Sequence, residues 1–242
     1  MRLSIALAFL LLSAPDAAAR DVPRPQLKPD NFPPARESSP ALPLGNGLWD
    51  AAKVSAERQN CAKLLSGLAM DFDYIEPIGK DGSCGAAAPI LVRSVAGTAI
   101  RPPMEATCDL ANALHGWVTT SLQPAARLHL EQEVATIDNA SAYVCRNRNG
   151  QAGGKLSEHA KANALDIARI NFKDGGSTSI AGDWSGVMGT LGLSAKAAFL
   201  ARIRRDACIR FTTVLGPGSD AFHKDHFHID VARRKGGYRI CQ

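Results

Sequence analysis

His223-Lys224-Asp225-His226-Phe227-His228-Ile229-Asp230-Val231 is the stretch on which both the fold and its chemistry turn. Side chains on a strand alternate between faces. If His226 to Val231 is a strand, Phe227, Ile229 and Val231 form one face and His226, His228 and Asp230 the other. The apolar face needs a core to cover it, so the polar face, with its two imidazoles, is left for a cleft or solvent. Neighbours on one face stand about 6.6 Å apart, too far for both rings to reach one ion without bending. One histidine is thus a candidate ligand and the other a neighbour of the ion.

An earlier stretch supplies partners. It begins at Ser157-Glu158-His159 and continues into Ala164-Leu165-Asp166-Ile167-Ala168, where alternation predicts a strand over Ala164 to Phe172. Ala164 and Ala168 flank Asp166 on its face and leave room beside the carboxylate. Lys161 and Asn163 suit a bend that returns His159 toward Asp166. Two imidazoles and one carboxylate, from His159, Asp166 and one histidine of the His226/His228 pair, form a three-ligand set for Zn2+ with a fourth position open, as catalytic rather than structural zinc sites have. His115 and His129 have no comparable partners and read as ordinary surface or core residues.

Outward from these motifs, the pattern predicts a helix from Trp49 to Asp71, ended by Pro77 and Gly79, and a short strand at Pro89 to Val92. Thr107 caps a helix from Cys108 to about Leu122 that Pro124 closes. Strands follow at Val134 to Ile137, Ala142 to Cys145 and Ser179 to Ala181. Ser194 caps a helix to about Cys208, Phe211 to Leu215 is a strand, and Gly216-Pro217-Gly218 turns the chain. Helices early and short strands late predict an α+β domain with an antiparallel sheet and flanking helices.

The N-terminus reads differently. Arg2, the apolar run Leu3 to Leu12 and Ala17-Ala18-Ala19 form a signal-peptide pattern over residues 1–19, too short to span a bilayer, which takes about 20 residues. Seven prolines between Pro23 and Pro43 make residues 20–45 an extended linker. The folded domain is expected over 46–242, with no membrane span once the signal is removed. The chain is therefore expected to be exported, periplasmic or secreted.

Export makes the six cysteines a disulfide framework. Six allow about 15 pairings, and the one singled out here is Cys208 with Cys241, joining a helix end to the C-terminus. The 28 Lys and Arg exceed the 23 Asp and Glu by 28 − 23 = 5, which suits an anionic polymer. No block of five or six like charges occurs, so nothing points to nucleic acid.

These residues also carry a resemblance. Ser157-x-His159, Ala164-x-Asp166 and the late His226-x-His228 resemble the zinc peptidases that include lysostaphin-type endopeptidases, D-alanyl-D-alanine carboxypeptidases and dipeptidases, and the hedgehog amino domain. The stretch from about Cys61 to Cys241 resembles the bacterial extensin-like C-terminal domain family. The resemblance implies a hedgehog/D-Ala-D-Ala-peptidase-like fold, with His159, Asp166 and His228 as zinc ligands. It also implies His226 beside the ion, His223 as an accessory histidine, Arg146 stabilising charge on the scissile group, and Asp225 where the dipeptidase branch has a general base. By alternation Asp225 points away from His228, so His226 or His223 are alternative bases. Where the family has glycine three residues after the first histidine, this chain has Ala162; a left-handed backbone there costs alanine about 1 kcal/mol. The implied activity is zinc-dependent amide hydrolysis on peptidoglycan stem peptides or cross-links. The alternative is a non-catalytic zinc domain that binds cell-wall peptide or a protein partner.

Overall fold

A computed structural model describes residues 49–81 and 83–242. The expected signal peptide (1–19), the linker (20–45) and the expected domain start at residue 46 lie outside the described residues. In chain order the elements are α1 (Ala51–Leu65), β1 (Met70–Tyr74), β2 (Ile78–Gly79), β3 (Gly85–Ala86), β4 (Ile90–Val95), β5 (Thr98–Ala106), α2 (Cys108–Trp117), a π-helical turn (Val118–Leu122), α3 (Gln123–Leu130), β6 (Val134–Ser141), β7 (Ala164–Phe172), β8 (Ser177–Ser179), α4 (Ile180–Asp183), α5 (Gly186–Thr190), α6 (Ala195–Ala207), β9 (Thr213–Leu215), β10 (Phe227–Asp230) and β11 (Ile240–Cys241). The class is α+β, as expected.

Among the described residues one nine-stranded sheet runs β1-β4-β5-β6-β7-β10-β9-β11, with β8 added on β7, and β2 with β3 forms a separate hairpin. The sheet is mostly antiparallel; β5 with β6 and β11 with β9 are parallel. Helices cover one face. Leu165, Ile167, Ile170 and Phe172 of β7 and Phe227 and Ile229 of β10 join Leu110, Leu114, Trp117, Phe199 and Ile203 in a single buried core. Trp117 packs edge-on against Phe211 and donates its indole N–H to the Ile203 carbonyl at 3.0 Å. Residues that alternate with this apolar set face the opposite side of the sheet.

Several expected elements differ. The first helix ends at Leu65 because Gly67 turns left-handed at φ 74°, a common helix stop; Asp71 then belongs to β1. Pro124 does not close the second helix. The π turn lets the Gln123 N–H reach the Val118 carbonyl, five residues back, and Pro124 enters α3 at its first positions, where a missing N–H is tolerated. Ala142 to Cys145 is not a strand, since this segment bonds to the turn that carries His159. Ser179 is the N-cap of α4 rather than the start of a strand. Phe211 to Leu215 and His226 to Val231 shorten to β9 and β10. The strand Ala164–Phe172 and the Ser194-capped helix stand as read.

All six cysteines are paired: Cys61 with Cys108, Cys84 with Cys145, and Cys208 with Cys241. The last is the pairing expected from sequence, and the three together point to an oxidising compartment. No helix among the described residues is long and apolar enough to cross a membrane. Closing 33 residues stabilises a chain by roughly 3–4 kcal/mol in the loop-entropy treatment. Replacing Cys208 and Cys241 together by alanine is expected to lower the unfolding free energy by about that amount in a urea titration; an unchanged midpoint would contradict the role given to this staple.

Candidate metal centre

The centre is built by one register. β10 pairs antiparallel with β7 so that His228 lies directly opposite Asp166, and directly opposed residues share a face of the sheet. With Phe227, Ile229, Leu165 and Ile167 turned into the core, His228 and Asp166 emerge together on the far face. Opposite β6, the register slips at Ala168: Asp138 pairs with Arg169 and Asn139 with Ile167. This bulge resets the alternation, so Ile170 and Phe172 return to the core while Asp166 keeps its outward aim.

His159 arrives from a single 3-10 turn, His159–Lys161. The Ser157 hydroxyl accepts the His159 backbone N–H at 3.3 Å. The turn ends on Ala162, which is left-handed at φ 54°. The position therefore needs the conformation glycine favours, and alanine holds it.

Three atoms converge. His159 Nε2 lies 3.1 Å from Asp166 Oδ1 and 3.1 Å from His228 Nδ1, and His228 Nδ1 lies 2.9 Å from Asp166 Oδ1. All three residues are buried, at 1%, 6% and 8% exposure. The second nitrogen of each ring fixes what the first presents. His159 Nδ1 lies 2.6 Å from the Ala142 carbonyl; a carbonyl can only accept, so Nδ1 donates. His228 Nε2 faces Asp230 Oδ2 at 3.3 Å and donates likewise. Each neutral ring then aims a lone pair inward, beside a carboxylate oxygen. Three lone pairs this close repel unless a proton or a metal cation lies between them.

The surrounding histidines repeat the device. His226 Nδ1 contacts Asp225 Oδ1 at 2.9 Å, and its Nε2 stands 3.7 Å from Asp166 Oδ1. His223 Nδ1 contacts Asp220 Oδ1 at 2.8 Å, and its ring centroid is 5.4 Å from that of His226 and 5.6 Å from that of His228. Asp225 thus tethers His226 and makes no contact with His228; its own side chain is largely exposed. Arg146 is set by its backbone, its carbonyl accepting the Ser157 N–H at 3.1 Å, in a loop stapled by Cys84–Cys145. Among the described residues no hydrogen bond or ion pair holds its guanidinium.

Two carboxylates were given no role from sequence. Asp230 is buried, and its Oδ1 accepts from the Ala232 N–H at 3.1 Å and the Thr212 hydroxyl at 3.2 Å while Oδ2 faces His228. The alternation His226-x-His228-x-Asp230 was its available signal. Asp220 lies three residues before His223 in a turn, where no periodicity marks it.

A family of known proteins matches this chain over residues 59–242, described as extensin-like protein C-terminus. The chain belongs to that family. No curated protein and no solved structure matches it. In this extensin-like domain the matched span takes in every residue of the cluster.

Electrostatics follow from the packing. Burial opposes ionisation of Asp166, but hydrogen bonds and charge from His159 and His228 outweigh it and hold the carboxyl far below its usual range. Burial also opposes charge on His228, yet Asp166 and Asp230 outweigh it and push the imidazole up to about 9. Burial lowers His223 below its ordinary value, with Asp220 partly offsetting this. The raised His228 value favours a proton on that ring as what relieves the repulsion when no metal is bound.

The donor set fits zinc. Tetrahedral zinc bound at about 2.0–2.1 Å separates its ligand atoms by about 3.3 Å, close to the spacing present. Ligating histidines nearly always donate their other N–H to a carboxylate or carbonyl, as His159 and His228 do here.

Two outcomes are expected. Asp230→Asn should weaken zinc affinity by about 10–100-fold in a competition titration while circular dichroism stays unchanged; undiminished affinity would remove Asp230 from the centre. The raised His228 value means that its stabilising contact is complete below pH 6.5 and fades as pH climbs through about 9. In chelator, the melting temperature should fall over that interval, and the rise produced by added zinc should grow as the competing proton is lost. A flat chelator profile would contradict this.

Proposed function

We propose that this extensin-like domain is a zinc-dependent amide hydrolase acting on peptidoglycan peptides in an oxidising, extracytoplasmic compartment. The observation that carries the reading is the convergence of His159 Nε2, Asp166 Oδ1 and His228 Nδ1 within 3.1 Å of one another, with each ring's outer nitrogen already committed. Motif likeness to the lysostaphin, D-Ala-D-Ala carboxypeptidase and hedgehog group supports it, and a hedgehog/D-Ala-D-Ala-peptidase-like arrangement is part of the same proposal.

His159, Asp166 and His228 would hold the ion. When bound, zinc acts as a Lewis acid and makes water acidic enough to lose a proton near neutral pH. His226 is the base best suited to receive that proton. Its Nδ1–H is anchored on Asp225, so Nε2 carries the free lone pair, 3.7 Å from Asp166. Nε2 can then return the proton to the departing amine. Asp225 fixes the tautomer rather than taking the proton itself. His223, kept neutral by burial and tied to Asp220, packs beside His226 and limits its rotation. Arg146, whose guanidinium has no hydrogen-bond or ion-pair partner among the described residues, is suited to meet the negative charge that develops on the carbonyl oxygen.

A second reading, a non-catalytic zinc domain that binds wall peptide or a protein partner, is favoured by the deep burial of all three ligands. Metal analysis and digestion of purified muropeptides separate the two. The expected result is one zinc per chain and release of cleaved peptides detected by mass spectrometry. His159→Ala and Asp166→Ala should lose both. His226→Gln should keep zinc and lose about a hundredfold to ten-thousandfold in kcat. Stoichiometric zinc with no cleavage would favour the binding reading; full activity in the His159 and Asp166 variants would sink the zinc mechanism.

A further inference from the structure

Behind the histidine loop lies a groove of about 790 Å³, lined by Trp184, Val187, Arg204, Pro217, Ser219 and Gln242 among others. That volume is in the range of small-ligand sites. Its polar centre is Arg204, from the last turns of α6. The guanidinium stacks over the Trp184 ring at 4.9 Å, and no carboxylate among the described residues comes within ion-pair distance of it. Burial lowers its ionisation, and among the described residues no anion offsets this. A half-buried guanidinium without a counter-charge keeps its donors turned to the groove, where a ligand anion can take the place of water.

The surroundings hold Arg204 in place. Trp184 packs edge-on against Phe227, with ring centroids 5.5 Å apart. A Cβ on Gly216 would lie 2.7 Å from the Phe227 ring and 3.2 Å from Arg204 Nε, so glycine there lets backbone, ring and guanidinium close together. Val187 stands 69% exposed on the rim, an aliphatic surface beside the charge. The Pro217–Ser219 wall runs directly into Asp220, which anchors His223. Phe227, the ring under Trp184, sits between His226 and His228 in sequence. One loop thus builds the groove and the histidine cluster together.

We propose that this groove is a carboxylate-binding subsite for an acidic peptide, with Arg204 taking the carboxylate and Trp184 and Val187 the adjoining aliphatic part. That the peptide is a cell-wall stem peptide rests on the function proposed above. A planar guanidinium braced on an aromatic ring suits bidentate capture of a carboxylate.

The test is calorimetric binding of the full chain to a synthetic stem peptide with free carboxylates and to the same peptide amidated, each with zinc and with chelator. Amidation should weaken binding to the unaltered chain by at least about tenfold, in both conditions. Arg204→Gln should erase the difference, and Arg204→Lys should keep part of it. The subsite is overturned if amidation costs nothing in the unaltered chain, a result that needs no variant to fold. It is also overturned if Arg204→Gln, folded by circular dichroism, discriminates as before. Discrimination without any cleavage would leave the subsite standing and the hydrolase reading fallen; cleavage without discrimination would do the reverse.

Discussion

Three lone pairs aimed at one point are the constraint around which this domain is arranged. Two neutral imidazoles and a carboxylate do not by themselves gather their lone pairs within 3.1 Å; the core brings them together. Phe227 and Ile229 are buried beneath β10, and each contributes about 1.5–3 kcal/mol by leaving water. A one-residue slip of β10 along β7 would turn both outward and send His228 into the core. Hydrophobic burial on one face of the sheet therefore sets the His228–Asp166 pairing on the other. The polar cluster is placed by a register that the apolar face sets.

The second layer decides which atoms converge. An imidazole without a fixed partner can flip its ring or change tautomer, and its lone pair then points elsewhere. Here each ring of the cluster has an outer acceptor: the Ala142 carbonyl for His159, Asp230 for His228, Asp225 for His226 and Asp220 for His223. The tethers differ in depth. Ala142 and Asp230 are buried, whereas Asp225 and Asp220 are reached by solvent. The rigid pair orients the two rings that converge on Asp166, and the more open pair orients His226 and His223 beside them.

Much of this was legible in the sequence where periodicity and chemistry agree. Ala164 to Ile167 alternates and marks the strand that carries Asp166, Ser194 caps an amphipathic run, and His159, Asp166 and His228, which the structure brings together, stand in the two motifs read as partners. Cys208 with Cys241 was legible as well. Where the reading failed, a local signal was outvoted by tertiary context. No element was expected over Thr98–Ala106, where Pro102 and Pro103 interrupt the strand pattern, yet β5 runs through them: its parallel bonds to β6 involve Ala99 to Arg101, and it continues past the prolines beside β4. Pro124 argues for a helix end, and the π turn absorbs it. Ala142 to Cys145 has strand composition, but its backbone is claimed by the His159 turn and a disulfide. The bulge at Ala168 left no mark in composition, and Asp220 acts through a turn that no period reveals.

The His159 turn is where local and global demands conflict most openly. Ala162 is left-handed, at a cost of about 1 kcal/mol for a residue with a Cβ, and it is wholly buried. The conformation persists because the neighbourhood determines it several times over. The Ala162 N–H bonds the His159 carbonyl, the Asn163 N–H bonds the Glu158 carbonyl, and the Ala162 carbonyl accepts the Thr107 N–H at the start of α2. Thr107 also donates its hydroxyl to the Asn163 side chain at 2.7 Å, and Cys61–Cys108 secures that helix start to α1. Strain at a single alanine is thus shared by a helix cap, a disulfide and three backbone hydrogen bonds. Relaxing it would swing His159 away from Asp166, so the fold keeps the strain to keep the site.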